Sequence, residues 1–178
     1  MKNFFTTKRL CRAGIIAALY MALTYAFAPF AFGPFQIRPA EALCILPLLF
    51  PEAVPALAIG CALSNLTSPF ALYDVPIGAL TTLVAALITY MVGRFIKKEP
   101  ISFLVAGVAP VLLNAIVIPL LLVFLYKDVG SFESLTAAYF AYAGSIFLTQ
   151  TVWVYGLGAP VYFTLARLRK KSSISFLS

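Results

Sequence analysis

Three basic clusters punctuate a chain that is otherwise almost continuously apolar. Lys2, Lys8, Arg9 and Arg12 precede the first apolar run. Arg94, Lys97 and Lys98 interrupt the middle, and Arg167, Arg169, Lys170 and Lys171 follow the last run. Of the 13 basic residues only Arg38 and Lys127 lie elsewhere. Cytoplasmic loops of membrane proteins carry the Lys/Arg excess. The clusters therefore predict one cytoplasmic face. Six spans put both termini and the loop at Lys97 on that face, whereas five could not. The loops near 30–39, 67–73 and 127–138 then fall on the outer side.

The composition agrees with lipid as the main solvent. The chain is 62% hydrophobic and 11% charged, against about 45–50% and about 25% in soluble domains. Its 178 residues suit one domain of roughly six spans at about 20 residues each. That leaves no room for a separate soluble catalytic domain. The +7 net charge caps spans instead of forming a basic face, so it reads as membrane orientation and attraction to anionic lipid, not nucleic-acid binding. Cys11, Cys44 and Cys61 have no CxxC spacing and read as small buried apolar residues. No histidine is present, which removes the commonest metal ligand and proton shuttle. The N-terminus imitates a signal peptide ending at Ala26-Phe27-Ala28. Pro29 would follow the cut, and the run continues long enough to span, so cleavage is not expected.

Along the chain, helices are expected at about residues 7–28, 40–50, 52–66, 74–96, 101–126 and 139–169, forming a single all-α transmembrane substrate-binding domain over 1–178. Ala13, Ala17, Ala18 and Ala22 in the first helix form small-xxx-small pairs, which let another helix approach closely. They serve either internal packing or docking of another membrane subunit. Pro29, Gly33, Pro34 and Pro39 break the chain, and Phe30, Phe32 and Phe35 make that loop apolar enough to lie in the interface or over a cavity. Pro47, Pro51 and Pro55 divide the next stretch into two short helices, each less than a full crossing. Short or broken spans are tolerated where their backbone is buried in protein or faces water. Asp74 before Pro76 reads as a helix N-cap. Ser131 and Ser134 read as a turn or helix start. The last helix exceeds a bilayer span, so a break is expected near Gly156-Leu157-Gly158-Ala159-Pro160.

Polar side chains inside spans are costly and mark candidate sites. Arg38 and Glu41 lie at the outer start of the second helix, Asn65 at the outer end of the third, and Asp74 at the outer start of the fourth. Asn114 and Gln150 lie about 12 residues inward from the outer ends of their helices, near mid-membrane at about 1.5 Å per residue. Each has a structural alternative. Arg38 and Glu41 can pair across one turn, Asp74 can simply cap, and Asn114 and Gln150 can hydrogen-bond between helices. As a group, with Tyr73, Trp153 and Tyr155 nearby, they describe a small-molecule pocket: apolar walls with a few placed polar groups. No phosphate loop, zinc ligand set or nucleophile elbow is present, so the expectation is no enzyme and no cofactor. Energy for active transport would have to come from an ion gradient or another subunit.

The segment from Phe32 to Leu43, with Gln36-Ile37-Arg38-Pro39-Ala40-Glu41-Ala42 at its centre, resembles the start of the second helix in the queuosine-precursor transporter family. So do Pro51-Glu52-Ala53-Val54-Pro55, Gly60-Cys61 and Ser64-Asn65-Leu66. Asp74, Gly78-Ala79-Leu80, Thr82-Leu83 and Pro110-Val111-Leu112-Leu113-Asn114-Ala115 continue the match in order, over roughly residues 9–165. These proteins resemble substrate-binding S-components of energy-coupling-factor transporters. The resemblance implies a six-helix protein of the cell membrane that binds a micronutrient from outside. It implies docking, through the alanines of the first helix, onto a transmembrane scaffold subunit driven by two ATPase subunits. It implies a deazapurine-like substrate at Arg38, Glu41, Asn65, Asp74, Asn114, Gln150, Trp153 and Tyr155. One position departs: the family usually shows Gly-Glu-Leu where this chain has Thr149-Gln150-Thr151. The alternatives are an S-component for another vitamin or heterocycle, a membrane-embedded enzyme acting on lipid, or a structural membrane protein with no ligand.

Overall fold

The computed structural model describes residues 6–32, 36–128, 130 and 132–171, and among them every regular element is helical. Lys2, Gly33, Pro34, Phe35 and Ser131, named in the readings above, lie outside the described residues. Helix α1 spans Thr7–Ala26 and begins at Thr6, whose side chain accepts from the Arg9 N–H at 3.4 Å. Its buried residues, Arg12, Ile16, Tyr20 and Thr24, recur every four positions, the spacing of one helix face. A single turn, α2 (Ala28–Ala31), follows.

The expected helix at 40–50 is a 3-10 helix, Pro39–Leu48. Pro47 has no N–H and can donate neither an α-type nor a 3-10 bond, and the helix ends one residue later. Ten residues at about 2.0 Å each reach about 20 Å, where α-winding would reach about 15 Å. Every residue from Pro39 to Pro47 is buried, as expected for a helix apolar all round. It packs on α1, α3, α4, α5 and α7, so it is the central strut around which the others stand.

Helix α3 is Ala53–Asn65. Gly60 lets it close on α1: a Cβ there would lie 3.0 Å from the Ala17 carbonyl oxygen and 3.0 Å from Tyr20 Cβ. Helices α4 (Ala71–Phe95) and α5 (Glu99–Leu120) follow, α5 continuing through a π-turn, Leu121–Leu125. Ala71–Phe95 and Glu99–Leu125 are each long and apolar enough to cross a membrane. Pro110 removes one α5 hydrogen bond, freeing the carbonyl of Ala106 four residues earlier. Thr89 on α4 supplies the replacement, its hydroxyl donating to Ala106 O at 3.3 Å.

Helix α6 (Leu135–Thr151) starts at Ser134, which accepts from the Ala137 N–H at 3.2 Å. It passes through a wide π-turn, Val152–Leu157, into α7, Gly158–Lys170. The irregular turn thus runs into the Gly-Leu-Gly-Ala-Pro segment, ending at its Leu157. Pro160 follows at the third position of α7, where its missing N–H leaves one upstream carbonyl without an α-type bond. Gly107 fixes how α5 meets this turn, because a Cβ there would lie 2.7 Å from the Tyr155 ring.

At the Phe50 end of the strut, Arg12 Nε and Glu52 Oε1 form a buried ion pair at 2.6 Å. Arg12 and Arg169 both lie over the Phe50 ring, at 5.0 Å and 5.9 Å, and Arg169 donates to Leu49 O at 2.7 Å. The outside of the molecule is apolar: Leu72, Phe95 and Phe140 are each more than 70% exposed. A surface of this kind suits lipid and would be an association hazard in water. Cys44 and Cys61 are buried, but Cys11 is exposed; it lies one position off the buried α1 stripe, so the expectation of three buried thiols is corrected.

Candidate functional site

The Pro39 end of the strut carries two linked polar groups. The first is centred on Glu41, which is 2% exposed. Its Oε1 accepts from the Tyr20 hydroxyl of α1 at 2.7 Å. Its Oε2 accepts from the Asn114 amide of α5 at 3.2 Å and from the Cys44 thiol at 3.2 Å. The Cys44 contact follows from the 3-10 winding, which stacks residues three apart. Three neutral donors from three elements thus surround one carboxylate.

The second group starts one 3-10 turn away. Arg38 Nε donates to Ala31 O at 2.7 Å, its Nη2 reaches Asn65 Oδ1 at 3.4 Å, and its guanidinium lies 4.9 Å from the Phe32 ring centroid. Asn65 passes the chain on, its Nδ2 donating to Asp74 O at 2.7 Å. The Asp74 carboxylate accepts from the Ser68 hydroxyl and, at 2.5 Å, from Tyr126 OH. Phe70 stacks on the Tyr126 ring with centroids 3.9 Å apart. Burial, and then the hydrogen bond to Asp74, push the Tyr126 phenol above its ordinary range. A small cavity of about 90 Å³ opens here, lined by Phe32, Gln36, Ser68, Phe70, Asp74 and Tyr126 among others. Gln36 lines it from the left-handed region, φ 43°, a strained conformation for a residue with a side chain.

Two structural alternatives raised by the sequence are corrected. Arg38 and Glu41 do not pair with each other; each is taken by other partners, and Arg38, at φ −125° and ψ 88°, lies outside the 3-10 winding. Asp74 is not the α4 N-cap: the helix starts at Ala71 after Phe70, and the Asp74 carboxylate turns instead to Ser68 and Tyr126.

Gln150 is fully buried, and neither its Oε1 nor its Nε2 has a hydrogen-bond partner among the described residues. It continues the stripe Ala138, Tyr142, Ile146 along α6, whose members pack with Ala115 and Ile118 of α5. With Gly107 facing Tyr155 further along, the antiparallel register sets Gln150 at the level of Pro110 to Asn114.

The two aromatics behave differently from the rest. Tyr155 donates to Leu104 O at 2.7 Å and packs edge-on to Phe103, 5.8 Å away; it pins the π-turn to α5. Trp153 borders a groove with Ile37, Leu148, Thr149 and Val152. The four alanines of α1 do not share one face, because consecutive helix positions are about 100° apart. Ala13 and Ala17 are half-buried and line a groove of about 400 Å³ with Gly14, Pro55, Ala56 and Ile59, while Ala18 and Ala22 are exposed.

Sequence reasoning missed Tyr20, Cys44, Ser68 and Tyr126. A tyrosine in the middle of an apolar stripe was the available signal for Tyr20, since a buried phenol needs a partner. Nothing local marks the others, whose role depends on which helices meet.

No curated protein and no solved structure gives a significant match. The model of one family, described as QueT transporter, matches residues 10–167, a stretch that includes the Glu41 group, the Arg38–Asp74 chain and Gln150. Covering most of the sequence, that match shows that the chain belongs to the QueT transporter family.

Proposed function

We propose that the chain is the membrane-embedded, substrate-binding S-component of an energy-coupling-factor transporter, taking up queuine or a related 7-deazaguanine. Family membership supports the substrate class. The observation that carries the reading is Glu41: a buried carboxylate surrounded by neutral donors and held by three elements. A 7-deazaguanine presents N1–H and an exocyclic amine as donors and O6 as an acceptor. A carboxylate matches the donor edge, and Asn or Arg side chains match O6. On this reading Glu41, Asn114 and Gln150 contact the base; Arg38, Asn65 and Asp74 line its entry; Trp153 and Tyr155 supply the nearby aromatic wall.

The proposed arrangement has six spans, namely α1, the 3-10 strut, α3, α4, α5, and α6 joined to α7. Both termini face the cytoplasm, and the Pro39 end of the strut faces outward in the cell membrane. No nucleotide-binding motif occurs, so ATPase subunits and a scaffold subunit would supply the energy. The grooved α1 face at Ala13 and Ala17, or the exposed one at Ala18 and Ala22, would meet that scaffold.

Thermal shift and calorimetry on the purified protein in detergent test the reading. Queuine and its cyano and aminomethyl precursors would be compared with guanine, adenine and several vitamins. A ligand that binds the folded state raises its stability by mass action. Stabilisation by a deazaguanine, lost in Glu41→Ala, is the expected result. Stabilisation by a different nutrient alone would remove the substrate while keeping the carrier.

A further inference from the structure

Gln150 is fully buried, and among the described residues both atoms of its amide lack a hydrogen-bond partner. Burying an amide without partners is costly, because the hydrogen bonds it made with water are lost. Its neighbours at the same level, Pro110 to Asn114, belong to the helix that also presents Asn114 to Glu41. We propose that Gln150 reads an uncharged donor–acceptor edge of the ligand, with the adjoining N–H and C=O of a lactam ring as its best match. This deepens the substrate reading above and rests on its placing the base between the strut, α5 and α6.

The chemistry of the amide sets the selectivity. Its oxygen accepts and its NH₂ donates, side by side. A lactam satisfies both at once. An ammonium satisfies only the oxygen and leaves the NH₂ unpaired; a carboxylate satisfies only the NH₂ and faces the oxygen with negative charge. Sites built to hydrogen-bond a polar edge reject analogues that lack it, because the site's own groups are then stranded. Of the donors named above Gln150 takes N1–H together with O6, and Glu41 keeps the exocyclic amine, so the two positions divide the ligand into a charged-acceptor side and a neutral side.

Two measurements on the full-length protein in detergent test this. The first needs no ligand. Gln150→Met keeps the volume and the helix propensity while removing the stranded amide, so the ligand-free thermal midpoint should rise by about 2–4 °C. No rise, or a fall, would mean that the amide serves the fold, and the proposal would be overturned. The second compares 7-deazaguanine with its O6-methyl derivative, which lacks the N1–H and carries an ether in place of the carbonyl. The unsubstituted protein should prefer 7-deazaguanine by about 10- to 100-fold, and that preference should collapse in Gln150→Met. Full discrimination surviving in Gln150→Met also overturns the proposal. If neither base binds but Gln150→Met is stabilised, the deazaguanine reading fails, while the edge-reading role stands for another uncharged heterocycle.

Discussion

Two buried carboxylates, one near each end of the central strut, are held in opposite ways. Glu52 is neutralised by a cation, Arg12, at 2.6 Å, and the pair is covered by Phe50. Glu41 has no ion-pair partner among the described residues and is held by a phenol, an amide and a thiol. In the first arrangement charge meets charge, and the net charge is cancelled. The second stabilises a negative charge without cancelling it, which leaves it able to attract donors from a ligand. On the proposed reading, it is the charge of the partners, and not burial, that separates a structural acid from a binding one.

Substitutions can break or sharpen this contrast. The largest effect is expected at the ion pair. Arg12→Met strands Glu52 and should cost about 3–5 kcal/mol, whereas Arg12→Met combined with Glu52→Leu should recover most of that loss. Thermal midpoints in detergent would read both. A single variant no worse than the double would mean that the pair is not effectively buried. Glu41→Gln should cost less stability, about 1–2 kcal/mol, because the one amide oxygen can still accept from Asn114 and Cys44 while the new NH₂ faces the Tyr20 hydroxyl, which can turn to accept. Its effect belongs instead in ligand binding, read by calorimetry. A stability loss as large as that of Arg12→Met would erase the distinction between the two acids.

Two further substitutions calibrate single hydrogen bonds. Tyr20→Phe removes a donor to a carboxylate and should cost about 1.5–3 kcal/mol, the range for bonds to charged groups. Thr89→Val removes a neutral bond to Ala106 O and should cost about 0.5–1.5 kcal/mol. Equal losses in these two variants, measured by the same unfolding assay, would indicate that the bond to Glu41 is no stronger than one to a backbone carbonyl.

The sequence made the polar residues conspicuous because so few occur in apolar runs, and Arg38, Glu41, Asn65, Asp74 and Asn114 do come together. It also showed that the proline-rich stretch could not be an ordinary span, though not that it winds as a 3-10 helix. Partner identities were not legible. Glu41 meets Tyr20 across 21 positions and Asn114 across 73, and only the packing of three helices around the strut decides that. The Asp74 expectation failed for a similar reason: Ser68 and Tyr126 offer its carboxylate better partners than the helix terminus does. The alanines of α1 were grouped by spacing, but a shift of one residue turns a position to another face.

The 3-10 winding of Pro39–Leu48 has a mechanical consequence. Three residues per turn put Glu41, Cys44 and Pro47 in single file, with Arg38 before them and Phe50, held against Arg12 and Arg169, just beyond. The strut is the direct link between the Glu41 site and the end that carries the buried ion pair. Rewinding its ten residues as an α-helix would shorten it by about 5 Å and turn it by about 20° per residue. A change of winding at either end would therefore be felt as both a pull and a twist at the other.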